Sequence, residues 1–101
     1  MINSKQRAYL RGLANKIQPI FQIGKNGVTP ELISTIEDAL EKRELIKCSI
    51  LSNCLEDTSY IVSAISSRTH SDVVQIIGNK LVFYRKSSTN PIIELPKNKK
   101  D

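Results

Sequence analysis

A chain of 101 residues holds one hydrophobic core rather than two, and its 40% apolar content suffices for a single compact domain. No apolar run approaches the roughly 20 residues that span a bilayer, and the N-terminus lacks a basic-then-apolar signal segment, so no membrane partner is expected and the cytoplasm is the expected compartment. Two cysteines, one histidine and no Trp argue against a four-ligand zinc site and against an aromatic base-stacking platform, so no metal or cofactor is expected.

The net charge of +5 is unevenly placed. Residues 1–29 carry Lys5, Arg7, Arg11, Lys16 and Lys25 without a single Asp or Glu, whereas residues 30–47 carry five acids against three bases. A localised basic zone is the electrostatic footprint of a polyanion binder. A solvated helix face gives the same signature, so the rest of the chain has to decide between them.

A helix is expected from Asn3 or Ser4 to about Asn15. Asn3 and Gln6 have the spacing of a capping box, and Leu10, Leu13, Ala14 and Ile17 form an apolar stripe. Arg7 and Arg11 share a face of it. Gly12 weakens this helix by about 1 kcal/mol relative to Ala and suggests close packing there. Pro19 to Ile23 reads as a short strand, followed by Gly24-Lys25-Asn26-Gly27. Thr29 is suited to cap a second helix, with Pro30 in its first position. A Gly-x-x-Gly pair alone is compatible with an ordinary turn. Here it would bring backbone N–H groups and the Lys25 ammonium to a helix N-terminus, a suitable place for a phosphate.

The second helix runs from Pro30 to about Lys42 on Leu32, Ile33, Ile36, Ala39 and Leu40, with Glu37, Asp38 and Glu41 as an acidic outer face. Leu45 to Leu51 alternates as a strand with Cys48 toward the core. After a loop from Asn53 to Asp57, a third helix is expected from Thr58 to Arg68, with Tyr60, Ile61, Ala64 and Ile65 as its apolar stripe. His70 falls in a polar turn; spacing alone does not exclude Cys54 or Asp72 as partners, but a catalytic set needs more than co-occurrence, so a turn histidine is expected and no catalytic residue is assigned. Val73–Ile77 and Leu81–Arg85 read as strands joined by Gly78-Asn79, a two-residue hairpin signal. Pro91 to Pro96 is a candidate extended segment against the domain. The order αβαβαββ implies a single-domain layered α/β sandwich, with a four-stranded mixed sheet and three helices over residues 1–96. Residues 97–101 read as a basic, disordered tail.

Several blocks in this order resemble the CRM domain, the chloroplast RNA splicing and ribosome maturation family, and in particular its small stand-alone bacterial YhbY-like members. They are Lys5-Gln6-Arg7 with Leu10-Arg11, the stretch from Pro19 to Val28, Ala39-Leu40, Glu44-Leu45-Ile46-Lys47, Val74 to Asn79, and Leu81-Val82-Phe83-Tyr84-Arg85. At Asn15 the chain departs from a histidine frequent in that family. The resemblance implies a fold similar to the C-terminal domain of bacterial translation initiation factor three. It also implies RNA binding, association with the precursor large ribosomal subunit, and an RNA-contacting role for Gly24, Lys25, Asn26 and Gly27. Lys5, Arg7, Arg11 and Arg85 are then the expected phosphate contacts. The expected partner is structured RNA, rRNA above all, bound by a monomeric, non-enzymatic protein. The alternative is a ribosome-associated protein-interaction module that works through the acidic second helix.

Overall fold

The computed structural model describes residues 2–97; the expected tail lies outside the described residues from 98 onward. The elements are α1 (Ser4–Ala14), β1 (Phe21–Ile23), α2 (Pro30–Arg43), β2 (Leu45–Ile50), α3 (Thr58–Thr69), β3 (Asp72–Ile77) and β4 (Lys80–Tyr84). The sheet order is β1-β2-β4-β3, with β1 parallel to β2 and β4 antiparallel to both neighbours. This is the mixed four-stranded sheet and three helices that the periodicity predicts.

Helix ends follow local chemistry. Asn3 accepts the Gln6 amide at 2.8 Å, and the Gln6 side chain accepts the Asn3 amide at 3.0 Å, which completes the capping box. Thr29 Oγ1 accepts the Leu32 amide at 3.1 Å, with Pro30 next in the first helical position. His70 ends α3 in the left-handed region at φ 57° and lies exposed. The β3–β4 turn has Gly78 at φ 56° as its first central residue, as a two-residue hairpin of that type requires.

The sheet has a core on each face. Behind it, α2 and α3 bury Ile36, Leu40, Ile61 and Ile65 against Ile23, Ile46, Cys48, Leu81 and Phe83. In front, α1 buries Leu10 and Ala14 against Leu45, Val74, Val82 and Tyr84. Cys48 is a core residue, its thiol pushed up to about 12 by burial. Two packing expectations fail. Tyr60 is 46% exposed because it lies at the rim of the buried α3 stripe. Gly12 is exposed, and a Cβ there would meet nothing within 4 Å, so no close contact explains it.

The acidic face of α2 also differs from expectation. Glu41 and Glu44 turn toward the segment after β4, Glu37 contributes its backbone carbonyl to Arg85, and Asp38 stays exposed. Glu41 accepts from the hydroxyls of Ser87 (2.8 Å), Ser88 (2.9 Å) and Thr89 (2.8 Å), and from the amides of Ser88 and Thr89 at 3.0 Å each. Glu44 is fully buried and accepts the amides of Ser87, Ile92 and Ile93 at 2.6, 2.8 and 2.7 Å. Glu41 holds residues 87–89, and Glu44 holds the extended 91–96 segment, whose Ile93 and Leu95 pack on the α1 core. For Glu44, burial alone would raise the pKa, but the three amides and the nearby Lys86 charge outweigh it and the pKa is lowered. The Glu41 carboxyl falls from 4.5 to about 2, with the Thr89 hydroxyl the largest cause and Ser87 and Ser88 next.

A folded-state pKa below the unfolded one contributes stability that is complete above the unfolded value and lost as pH falls through the folded value. The clamp is therefore expected to hold at neutral pH and to loosen between about 4.5 and 2. Corrected for the intrinsic rate, which itself slows with falling pH, the protection of the Ser88 and Thr89 amides should drop across that window, and Glu41→Gln should lower it already at pH 7. Protection insensitive to both would contradict a carboxylate clamp.

Candidate functional site

The Gly24–Gly27 turn leaves the sheet where β1 ends. The Gly27 amide bonds the Gly24 carbonyl at 2.9 Å, closing a four-residue turn with Lys25 and Asn26 exposed at its tip. The two glycines have different reasons. Gly24 has ordinary φ, and a Cβ there would come within 3.3 Å of Asn53 Oδ1, a tight contact with a surface side chain. Gly27 is buried at φ +63°, and a Cβ there would collide with the carboxylate of Glu56.

Glu56 is the site residue that no sequence spacing indicates. Its Oε1 accepts the Val28 amide at 2.9 Å, so a carboxylate from the β2–α3 loop already fills the position just before the cap of α2. This corrects the expectation of free amides throughout the glycine loop. Gly27 N–H bonds Gly24 and Val28 N–H bonds Glu56, whereas the amides of Lys25 and Asn26 have no protein acceptor among the described residues. An anion approaching the loop meets the tip, with its two amides and the Lys25 ammonium, rather than the helix N-terminus.

The remaining cations separate into two groups. Lys5 and Arg11 are exposed on α1. Arg7 is half-buried and gives its Nε to the Val73 carbonyl at 3.2 Å. Arg85 is half-buried and tied down: Nη1 donates to the Thr69 carbonyl at 3.1 Å, and Nη2 to the Glu37 carbonyl at 3.4 Å and to Glu41 at 3.3 Å, an ion pair. Its donors hold β4 against α2 and α3.

α1 and the loop lie toward opposite ends of the strands. α1 packs where Leu45 pairs with Tyr84. The loop follows Ile23, which pairs with Ile50 five residues further along β2, roughly 17 Å away. The sequence-predicted cations thus form two groups rather than one cluster, with half of the front sheet face between them. Among the described residues no group of three His, Cys, Asp or Glu side chains could hold a metal ion, and no helix is long and apolar enough to cross a membrane.

Comparisons with known proteins agree with this architecture. The CRS1 / YhbY (CRM) domain profile matches residues 2–85. The probable RNA-binding protein YqeI of Bacillus subtilis is 47% identical over 96 residues, covering 95% of this chain and 100% of that protein. A Haemophilus influenzae protein named as RNA-binding is 38% identical over 96 residues, covering 95% and 96%. The solution structure of SAV1595 from Staphylococcus aureus, a candidate RNA binder, superposes with a TM-score of 0.79 at 48% identity, covering 95% of this chain and all of that one. Matched along most of its length in sequence and fold, the chain belongs to the CRS1/YhbY (CRM) domain family.

Proposed function

We propose that this protein binds structured RNA, the rRNA of the precursor large ribosomal subunit, and acts in ribosome assembly as a monomeric, non-enzymatic protein of the cytoplasm. The observation that carries the reading is the loop tip: two exposed residues, Lys25 and Asn26, whose amides have no acceptor among the described residues, and one cation, at the end of an N-terminal region that contains no acid. Arg11 and Lys5 extend the contact along α1, with Arg7 reaching the same flank from its anchor on Val73. Gly24 and Gly27 shape the turn that presents the tip. Lacking an aromatic platform, the surface suits recognition of backbone shape and phosphate. The likeness to relatives named as RNA-binding, and the association with large-subunit precursors that the family resemblance implies, favour the same ligand. The alternative reading through an acidic α2 is weakened by Glu41, whose carboxylate is satisfied within the molecule.

Salt-dependent binding to a large-subunit rRNA transcript tests the proposal. Lys25→Glu with Arg11→Glu is expected to weaken binding and to flatten the plot of log affinity against log salt by about 0.7–0.9 per lost phosphate contact. Binding identical to wild type, with an identical slope, would remove the loop and α1 from any RNA face.

A further inference from the structure

We infer that the uncovered half of the front sheet face is a second RNA-contacting surface, with Lys47 and Lys80 as phosphate contacts and Gln22 and Gln75 as ribose or base contacts. The inference rests on the RNA-binding reading above and extends it from the loop and helix to the floor between them.

The strand register fixes which side chains share this floor. Gln22 pairs with Ser49, Ser49 with Lys80, and Lys80 with Ile77, so these four form one row across all four strands. Lys47 pairs with Val82 and Val82 with Gln75, giving the next row; the register shifts between Val73 and Gln75, a bulge that lets both Val74 and Gln75 face forward. Directly paired residues share a face, and Val82 belongs to the core beneath α1, so both rows point forward. The neighbouring residues Cys48, Leu81 and Phe83 belong to the back core, as the alternation requires.

α1 covers the far end of this face and reaches Val82, at the centre of the Lys47 row. Its buried Leu10 and Ala14 lie on Leu45, Val74, Val82 and Tyr84, and Ser49, at the centre of the next row, is buried too. Gln22 and Ile77 are exposed and Lys47, Gln75 and Lys80 are half-exposed, so the open part of the floor is the side chains that flank Val82 and Ser49. A soluble sheet face left open by its helix needs polar side chains, but it does not need to be free of one charge sign. Here both rows contain lysines and no carboxylate. Asp72, an acid on the same face, stands in the row of Leu45 and Tyr84 at the opposite end.

The edges of the floor match its charge. At the loop end, Gln22 is two residues before Gly24, so the row leads to Lys25 and Asn26. At the other end, helical spacing puts Arg7 and Arg11 on one flank of α1. Gln6, on the other flank, bonds the Pro96 carbonyl, and Leu13 packs with the 91–96 segment, so the arginine flank is the one turned away from that segment. Four strands at about 4.8 Å give a floor roughly 14 Å wide between its outer strands. Carboxamides and lysines side by side are suited to the 2′-hydroxyls and phosphates of RNA.

The test measures binding of the full chain to a large-subunit rRNA transcript across a salt series, comparing Lys47→Ala/Lys80→Ala with Arg68→Ala/Lys42→Ala. The second pair removes two exposed cations from the α2–α3 layer and controls for net charge. Urea midpoints establish that both variants fold. The front-face pair is expected to lose roughly tenfold in affinity at 0.15 M salt and to flatten the salt plot by about 1.5, while the control pair changes little. If the front-face pair weakens binding no more than the control, while Lys25→Glu with Arg11→Glu weakens it strongly, the sheet surface is not an RNA contact and the loop reading stands. If none of the variants changes binding, both fall.

Discussion

Gly27→Ala is expected to destabilise the protein by about 2–4 kcal/mol, far more than Gly24→Ala, although both change a glycine of the same loop to the same residue. Two physical terms add at Gly27. An L-residue held at φ +63° costs about 1–2 kcal/mol. Its Cβ also displaces the Glu56 carboxylate, which then loses the Val28 amide, and a hydrogen bond to a charged group contributes about 1.5–3 kcal/mol. Glu56 can swing partly into solvent, so the sum is discounted. At Gly24 the added methyl meets Asn53 at 3.3 Å with ordinary backbone φ, and a loss under about 1 kcal/mol is expected.

A double-mutant cycle separates the terms. In a Glu56→Ala background, Gly27→Ala should cost only the backbone strain, leaving a coupling of about 1–2 kcal/mol between the two sites. Urea denaturation followed by far-UV circular dichroism measures all four proteins. Equal losses at Gly24 and Gly27, or strict additivity with Glu56, would show that the carboxylate does not hold the loop. The second glycine of the motif is thus explained by an acid of the protein itself. The motif's presence is therefore weaker evidence for RNA than the exposed tip between the glycines.

What was legible in the sequence and what was not divides by distance along the chain. The Asn3–Gln6 box, the Thr29-Pro30 start and the Gly78-Asn79 turn are written within four residues, and each is present. Strand bounds differ by one or two residues, β1 starting at Phe21 rather than Pro19, because edge hydrogen bonds depend on a partner and not on local propensity. Glu56 meets Val28 across 28 residues and Glu44 meets Ile93 across 49. No periodicity encodes such pairs, and an acid on a helix that is otherwise solvated looks like any other surface acid. For that reason Glu41 resembled an outward-facing charge and Arg85 a free cation. The Lys47 and Lys80 rows were hidden for a related reason. Alternation shows that both lysines leave the back core, but only the placement of α1 shows that the half-sheet above them is uncovered.

Glu44→Ala is expected to cost about 3 kcal/mol or more, a large share of the roughly 5–15 kcal/mol that holds a domain together. Glu44 sits at φ 67°, ψ −35° after α2, a positive-φ backbone outside the αL basin that glycine tolerates far better than other residues, so its own backbone is strained by about 1–3 kcal/mol. Its side chain offsets that strain. Two carboxylate oxygens accept three amides, from Ser87, Ile92 and Ile93, with almost no competing water. Alanine keeps the strain and removes the acceptors, so the 91–96 segment detaches beyond the stretch Glu41 still holds and uncovers Leu13 and Ile17. Glu44→Gly removes the same acceptors but relieves the backbone, and should be less destabilised than alanine by about 1 kcal/mol. Glu44→Gln keeps one acceptor oxygen and turns an NH₂ toward a donor, which places it between wild type and alanine. The expected stability order is therefore wild type, Gln, Gly, Ala. Amide exchange at Ile92 and Ile93 should rise to near-unprotected rates in the last two. A glycine variant worse than alanine would mean that the positive-φ backbone is not strained. Protected Ile92 and Ile93 amides in Glu44→Ala would mean that apolar packing, and not the carboxylate, anchors the segment.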